Sequence, residues 1–348
     1  MKKKRLIIAV IILILLTAAA VVGYLFYRKL NNKPIITQPD VEMDFNETVI
    51  DTTTKPSIYS GKDRPIAVMI DNHKSALPHA GLSKAYMVYE IIVEGGESRL
   101  MALFKGQNLD KIGPVRSSRH YFLDYALEND AIYVHYGWSP QAEYDIKHLG
   151  VNNINGLTDS PFWRVKDKSA PHNAVTSTSK LLEFANKKGY RTTSSSESVL
   201  KYSKEEVELP ETTTIAKKVT IPFSTSNSVK WEYDEESKSY VRYTKGKKEV
   251  EWDGGETCKF KNIIVEFVKN STLNDKENKG RQTLDNIGTK QGYYITNGKA
   301  IKITCSKASR ASKTKYLDED GKEIEVNDAN TFVEICPIDA KVTFSEGE

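Results

Sequence analysis

The segment of residues 6–27 places the strongest constraint on the fold, because it is a continuous apolar run without a charged residue. A helix of this length spans a hydrocarbon core of ~30 Å. Basic residues at positions 2–5 precede it, and positive charge on that flank predicts a cytoplasmic N-terminus. Small residues at 18–20 leave a cleaved signal peptide as the alternative. The run is longer than a usual signal core, which favours an uncleaved single-pass anchor.

The rest of the chain is predicted to be a linker followed by two domains of an α+β protein. Residues 31–60 are rich in Thr, Pro, Asn and Asp without sustained periodicity, which predicts a disordered linker outside the membrane. Residues 61–191 mix helical and strand patterns and predict a mixed α/β domain. A polar stretch at 192–218 predicts an interdomain linker, and period-2 runs at 219–340 predict a mainly antiparallel β domain.

The charge balance argues against a nucleic acid as a partner. The chain carries 50 basic and 46 acidic residues, but seven of the basic ones lie in residues 1–33, where there is no acid. The remainder therefore holds 43 basic against 46 acidic residues and is slightly acidic, unlike a nucleic-acid-binding surface. Cys258, Cys305 and Cys336 allow at most one internal disulfide, and no Cys-x-x-Cys spacing indicates a redox centre.

The stretch at 111–138 gathers the strongest candidates for a functional site. Ser117 and Ser118 predict the cap of a helix, which places Arg116 and Arg119 beside its N-terminus. Free backbone N–H groups, the helix dipole and two guanidinium groups would together hold a carboxylate or a phosphate. The alternative is that both arginines pair with acidic neighbours and only brace the fold.

Five further residues are candidates for the same ligand site. Arg99 opens a predicted strand, and His135 lies in the strand predicted at residues 131–136. Arg164, His172 and Asn173 lie in polar loops, where binding residues concentrate. We expect the fold to bring these side chains together with the two arginines of the central stretch.

Two glycine-containing turns predict hairpins. One joins the apolar runs at 87–93 and 99–105, and the other is the Asn-Gly pair at 297–298. Glu90 and Glu94 share a strand face, so each needs a cationic partner if it is buried, and the neighbouring arginines are the nearest candidates. An exposed sheet face is the alternative. About 13 Å of strand rise separates the two glutamates, too far for a carboxylate pair acting on one bond.

No spacing typical of a metal or catalytic centre is present. His73, His79, His135 and His172 could meet only through the fold, so neither a metal nor a cofactor is predicted. There is no Gly-x-Ser-x-Gly elbow, although a Ser-His-Asp arrangement from separate positions stays open. The β-rich surroundings of Cys305 are typical of a core rather than of a nucleophile.

Several blocks of the chain, in the right order, resemble a bacterial envelope family, the YerB-like lipoproteins with paired N- and C-terminal DUF3048 domains. The blocks are MIDNH at 69–73, VEGGESR at 93–99, IGPVRSSR at 112–119, VHYGWSP at 134–140, APHN at 170–173, WEYD at 231–234, YVRY at 240–243, TNGKAIKIT at 296–304 and TFVEICP at 331–337. The resemblance implies a bacterial cell-surface protein and carries over no catalytic residue. No cysteine lies near the end of residues 6–27, so a helix rather than a lipid is the predicted anchor.

Two classes of function fit these observations. The first is a non-catalytic binding module, anchored in the membrane with its folded part outside, that engages an anionic cell-wall polymer or another envelope protein such as a cell-wall synthesis enzyme. The second is an enzyme acting on wall glycan or peptide, with His135 or His172 as general acid or base. The absence of a nucleophile motif favours the binding module.

Overall fold

The computed structural model describes residues 57–347, so the predicted anchor and nearly all of the predicted linker lie outside the described residues. Among residues 57–347, no helix is long and apolar enough to cross a membrane. The described residues belong to one compact unit.

Strands dominate both halves of the chain. The first half contains β1 (Ile66–Asp71), β2 (Met87–Ile92), β3 (Ser98–Phe104), β4 (Ile132–His135), β5 (Asn153–Asn155), β6 (Trp163–Arg164), β7 (Ala174–Val175) and β8 (Tyr202–Ser203). The second half contains β9 (Thr214–Ile215), β10 (Lys218–Ser224), β11 (Asn227–Asp234), β12 (Ser239–Thr244), β13 (Lys247–Lys248), β14 (Lys259–Phe260), β15 (Asn262–Val268), β16 (Asn270–Thr272), β17 (Gln282–Leu284), β18 (Gly288–Thr296), β19 (Lys299–Lys307), β20 (Lys315–Leu317), β21 (Val326–Asn327), β22 (Thr331–Pro337) and β23 (Thr343–Ser345).

Helices are few and short. The described α-helices are α1 (Phe122–Glu128), α2 (Pro140–His148) and α3 (Thr178–Lys187), with single 3₁₀ turns at Lys74–Ala76, Leu82–Lys84 and Glu94–Gly96. Caps fix two of the helix starts, because Ser139 accepts the backbone N–H of Ala142 and Ser177 accepts that of Lys180.

A mixed sheet of eleven strands forms the centre of the molecule. Its order is β20-β19-β18-β15-β22-β2-β3-β1-β4-β5, with β9 added beside β19. The two halves of the chain meet at β2 and β22, which pair in parallel from Met87 opposite Thr331 to Ile91 opposite Ile335. Both strands are buried along their whole length, as expected for central strands covered on two faces.

Alternate residues of these strands fill two separate cores. On β1, Val68 and Ile70 face one cluster, which a six-stranded antiparallel sheet (β13-β12-β11-β10-β23, with β14) and α3 help to form. Ala67 and Met69 face the opposite cluster, to which α1 and α2 contribute. The protein is therefore a layered, mostly β structure.

The predicted α+β class is wrong. That prediction combined an N-terminal transmembrane helix, which lies outside the described residues, with a mixed α/β first domain and a mainly antiparallel β second domain. Residues 57–347 are instead mostly β with three α-helices. The error has a physical cause. The sequence pattern predicts β2 and β22 as strands of two separate domains, whereas in the structure the two strands pair with each other, so that neither leaves an open sheet edge. The proposed boundaries at 61–191, 192–218 and 219–340 stay a prediction.

Both predicted hairpins are present. β2 and β3 pair antiparallel around the Gly95-Gly96 turn, and β18 and β19 pair antiparallel around Asn297-Gly298. Both residues of the second turn have positive φ, 49° for Asn297 and 74° for Gly298, which suits a two-residue hairpin and favours glycine at the second place.

The helix predicted to begin at Ser117 starts only at Phe122. The preceding segment instead runs between the diverging ends of β1 and β4. The backbone N–H of Arg116 donates to Met69, and its carbonyl accepts from Tyr136. Ser118 likewise donates to the carbonyl of Gly137. These long-range bonds outweigh the local capping preference, so neither serine caps the helix. Of Arg116 and Arg119, only Arg119, whose carbonyl accepts the backbone N–H of Phe122, lies next to its first turn.

Candidate functional site

Asp71, the last residue of β1, forms the centre of a polar cluster. Its Oδ2 accepts a hydrogen bond from Nδ1 of His172 at 2.7 Å, and its Oδ1 accepts the backbone N–H of His73. The rings of His73 and His172 stack with centroids 4.5 Å apart. The apolar strand delivers this carboxylate to a nearly buried position, because β1 is enclosed on both faces and ends where the cluster begins.

Three arginines lie around Asp71 and the neighbouring Ser117. Nε of Arg116 lies 3.2 Å from Oδ2 of Asp71. Arg99 stands opposite Asp71 in the β1–β3 register and donates to the carbonyl and the hydroxyl of Ser117, at 2.6 and 3.3 Å. Arg119 donates to the same hydroxyl at 3.2 Å. The structure therefore brings together three of the four arginines that the sequence proposed, next to Asp71 and Ser117, whereas the fourth, Arg164, bonds Asn173.

The cluster carries more positive than negative charge. Arg119 forms two bonds with Glu94, at 2.5 and 2.9 Å, and Arg116 faces Asp71. No carboxylate forms an ion pair with Arg99 among residues 57–347. Burial and, after it, the nearby positive charge of Arg119 lower the pKa of Arg99 to about 10, yet the group stays charged at neutral pH. An anion would relieve this excess.

Hydrogen bonds hold the loop before β7 in the position where His172 contacts Asp71. Nζ of Lys168 donates to the carbonyls of Ala76 and Pro78, at 2.5 and 2.6 Å. The amide of Asn173 donates to two carbonyls of the same loop, and its oxygen accepts from Arg164 at 2.6 Å. Asn173 is thus occupied in shaping the loop.

Arg164 and His135 lie at different depths around the cluster. Arg164 is exposed, and its guanidinium carbon lies 4.9 Å from the ring centroid of Tyr136. His135 is fully buried, and its nitrogens bond the carbonyl of Gly137 at 2.8 Å and the side-chain oxygen of Asn153 at 3.2 Å. Burial lowers the pKa of His135 to about 4, so the ring is neutral at pH 7. No hydrogen bond of the described chain joins His135 to the arginines.

A fully buried charge network lies beside the cluster. Glu90 bonds Arg242 at 2.5 Å, so its partner is an arginine of the second half of the chain and not Arg99, Arg116 or Arg119. Arg242 also bonds Glu249, which in turn bonds His79.

The other ring nitrogen of His79 lies 2.8 Å from the backbone carbonyl of Asp71. The second half of the chain therefore supports the position of Asp71. Both Glu90 and Glu94 were expected to pair with a neighbouring arginine. Only Glu94 pairs with an arginine of the cluster, Arg119.

Sequence reasoning expected an arginine partner for Glu94, but it did not assign Asp71, His73 or Ser117 to the ligand site that they organise. The available signal was the polar Asp-Asn-His sequence directly after an apolar strand. A strand of a central sheet delivers such residues to one edge, but only the fold shows that His172 reaches them.

The cluster can bind an anion and can hold a proton at a defined atom. His172 directs Nδ1 to Asp71, and its Nε2 has no partner among the described residues, which is the orientation of a general base. No three His, Cys, Asp or Glu side chains of residues 57–347 lie close enough to hold a metal ion. The three cysteines are free and buried.

Two family models match this chain. The N-terminal domain of the DUF3048 family, described as a protein of unknown function, matches residues 52–191, and the C-terminal domain of that family matches residues 219–333. The chain belongs to the YerB-like DUF3048 family.

The Bacillus subtilis (strain 168) protein YerB, described as a candidate lipoprotein, is 30% identical over 291 residues, which cover 82% of this chain and 85% of YerB. The crystal structure of YerB from Bacillus subtilis superposes with a TM-score of 0.72 at 28% identity, covering 81% of this chain and 94% of that chain. The family that the sequence motifs implied is thus confirmed, and the fold is similar to that of YerB.

Proposed function

We propose that this chain is a membrane-anchored envelope protein that binds an anionic cell-wall ligand, or an acidic surface of a cell-wall synthesis partner, through the cluster of Arg99, Arg116 and Arg119. The excess of guanidinium over carboxylate groups carries the proposal, since Arg99 has no carboxylate partner in the described chain. The likeness to a candidate lipoprotein supports the location in the envelope.

Arg116 is the best residue to test. Its side chain is 28% exposed, whereas Asp71 beside it is 5% exposed, so Arg116 can reach a ligand from the solvent. Guanidinium groups bind carboxylates and phosphates through charge-assisted, often bidentate bonds. We expect Arg116→Ala to weaken binding by ~1–3 kcal/mol, the scale of one such bond.

The measurement is a calorimetric titration of the purified full-length chain with poly(glycerol phosphate) and, separately, with purified peptidoglycan fragments. Arg191→Ala is the matched control, because Arg191 is half exposed and pairs with Asp130 outside the cluster. Thermal unfolding of each variant is recorded with the same sample.

A ligand-binding role and a structural role of Arg116 predict different results. A structural arginine that neutralises Asp71 would cost ~3–5 kcal/mol of stability when removed, because it leaves a buried carboxylate behind. Early unfolding of Arg116→Ala with no selective loss of binding contradicts the proposal. So does equal binding of the Arg116 and Arg191 variants.

The Asp71–His172 pair favours a second candidate, hydrolysis of wall glycan or peptide with His172 as the general base. The carboxylate fixes the ring so that Nε2 is available to take a proton from a bound water or hydroxyl. His172→Gln would then lower turnover of wall fragments by roughly 10²–10⁴-fold. His148→Gln, on the exposed end of α2, is the matched control. Absence of any turnover by the wild-type chain leaves the binding function alone.

A further inference from the structure

A cavity lies between the segment that follows His73 and a hairpin of the second half of the chain. It has a volume of about 460 Å³ and is enclosed by two walls. Lys74, Leu77 and Pro78 form the first wall, and the hairpin from Thr244 to Val250 forms the second. Its volume falls within the range of about 300–1,000 Å³ that small-molecule pockets occupy.

Three lysines give this cavity a positive rim. Lys74, Lys247 and Lys248 are exposed, and no acidic side chain of the described chain forms an ion pair with them. A fourth lysine, Lys245, is already occupied by Glu97 at 2.6 Å and by the side-chain oxygen of Asn227.

The one carboxylate of the lining does not neutralise the rim. Glu249 is 1% exposed, and its two oxygens bond His79 and Arg242. The rim therefore keeps its positive charge and attracts an anion.

One lining residue of the same cavity carries an unsatisfied hydroxyl. Thr244 is 2% exposed, and its Oγ1 has no hydrogen-bond partner within residues 57–347. A buried polar atom without a partner is unfavourable, and a ligand oxygen would satisfy it. Leu77, Pro78 and Val250 supply apolar surface beside the hydroxyl.

We propose that this cavity binds an amphiphilic organic anion, a phosphate or carboxylate group joined to an apolar body. The lysines would hold the anionic group at the rim, Thr244 would bond one of the ligand's oxygens, and the apolar body would lie against Leu77 and Pro78. An inorganic anion alone would leave the apolar wall uncovered, so the proposal requires both parts of the ligand. The inference goes beyond the function proposed above and does not depend on it.

The test uses 1-naphthyl phosphate as the probe, with 1-naphthol and inorganic phosphate as its two halves. All titrations use the full-length chain carrying Arg116→Ala, so that the arginine cluster contributes less to the signal. We expect 1-naphthyl phosphate to bind at least tenfold more tightly than either half. Equal binding of the three probes overturns the proposal.

Site-directed variants test whether 1-naphthyl phosphate binds in this cavity. Lys247→Gln combined with Lys248→Gln should weaken 1-naphthyl phosphate at least tenfold, and Thr244→Val should weaken it severalfold, both without a change in thermal midpoint large enough to signal unfolding. Lys276→Gln, an exposed lysine between β16 and β17, is the control and should bind as the parent does. Unchanged affinity in the double variant and in Thr244→Val contradicts the assignment of the site.

Competition then identifies the source of the ligand. Displacement of the probe by dihexanoyl phosphatidic acid assigns a lipid, whereas displacement by glucose 1-phosphate alone, which has no apolar body, overturns the requirement for one. Failure of both compounds to displace the probe contradicts a lipid source for the ligand and overturns that part of the proposal.

Discussion

Replacing Arg242 by Met removes the only cation that bonds both Glu90 and Glu249 in the described chain. All three side chains are at most 1% exposed, so water cannot take over the role of the guanidinium. Burial alone would lower the pKa of Arg242, but the carboxylates of Glu249, Glu90 and Glu334 more than offset this and raise it. The arginine is therefore held in its charged form by the groups it neutralises.

The size of the effect follows from the partner carboxylate. Burial would raise the pKa of Glu249, but Arg242 and His79 together lower it from 4.5 to about 2. At 1.36 kcal/mol per unit this corresponds to ~3 kcal/mol of stability, shared between the two cations. Glu90 loses its charge partner as well, so we expect Arg242→Met to lower the free energy of unfolding by ~3–5 kcal/mol at pH 7.

Urea unfolding at pH 7 measures this loss, and three further results test its cause. Adding Glu90→Gln and Glu249→Gln to Arg242→Met should recover part of the stability, because the stranded charges are gone. Lys217→Met, which removes an exposed ion pair with Glu235, should leave the urea midpoint unchanged.

The third result is a pH dependence. The Glu249 contribution is present above pH 4.5 and is lost as the pH falls towards 2, so the deficit of Arg242→Met should shrink in acid. A loss below ~1 kcal/mol at pH 7, or a triple variant less stable than the single one, would refute the reasoning.

Two further changes test the packing of β15. Burial, followed by the charge of Glu128, raises the pKa of Glu266 from 4.5 to about 8, so its contribution to stability is full below pH 4.5 and is lost as the pH rises to 8. Glu266→Gln should therefore raise the free energy of unfolding by ~3 kcal/mol at pH 7 and by little at pH 4.5. Urea unfolding at the two pH values measures this, and an effect of equal size at both would contradict the prediction. A methyl group on Gly292 would lie 2.2 Å from the carbonyl oxygen of Val265, so Gly292→Ala should cost ~1–3 kcal/mol in the same assay, whereas the exposed Thr289→Ala should cost little.

Local patterns predicted the features that depend on near neighbours. The apolar run of β1 and the Asn-Gly turn before β19 both follow from a few consecutive residues, and both are present. The start of the helix at 117–118 could not be predicted in the same way. There, backbone bonds from Arg116 and Ser118 to distant strands replaced the capping geometry that the two serines favour.

Long-range pairing set the rest of the site. Glu90 is neutralised by Arg242, 152 residues away, and no local pattern links a strand of the first half to one of the second. The same holds for His172 and Asp71, which are 101 residues apart. Residue types indicated an anion site, and the arginines do cluster, but their carboxylate partners depend on contacts that periodicity does not encode.

These long-range contacts connect the candidate site to the whole sheet. Asp71 ends β1, and its carbonyl is bonded by His79, whose other ring nitrogen meets Glu249 on the hairpin of the second half. That hairpin also lines the lysine cavity. A ligand that moves the hairpin would therefore act on the backbone of Asp71 through two side chains. The arginine cluster and the cavity thus share one support, the His79–Glu249 bond, and the strand pairing of β2 with β22 holds the two halves in register for it.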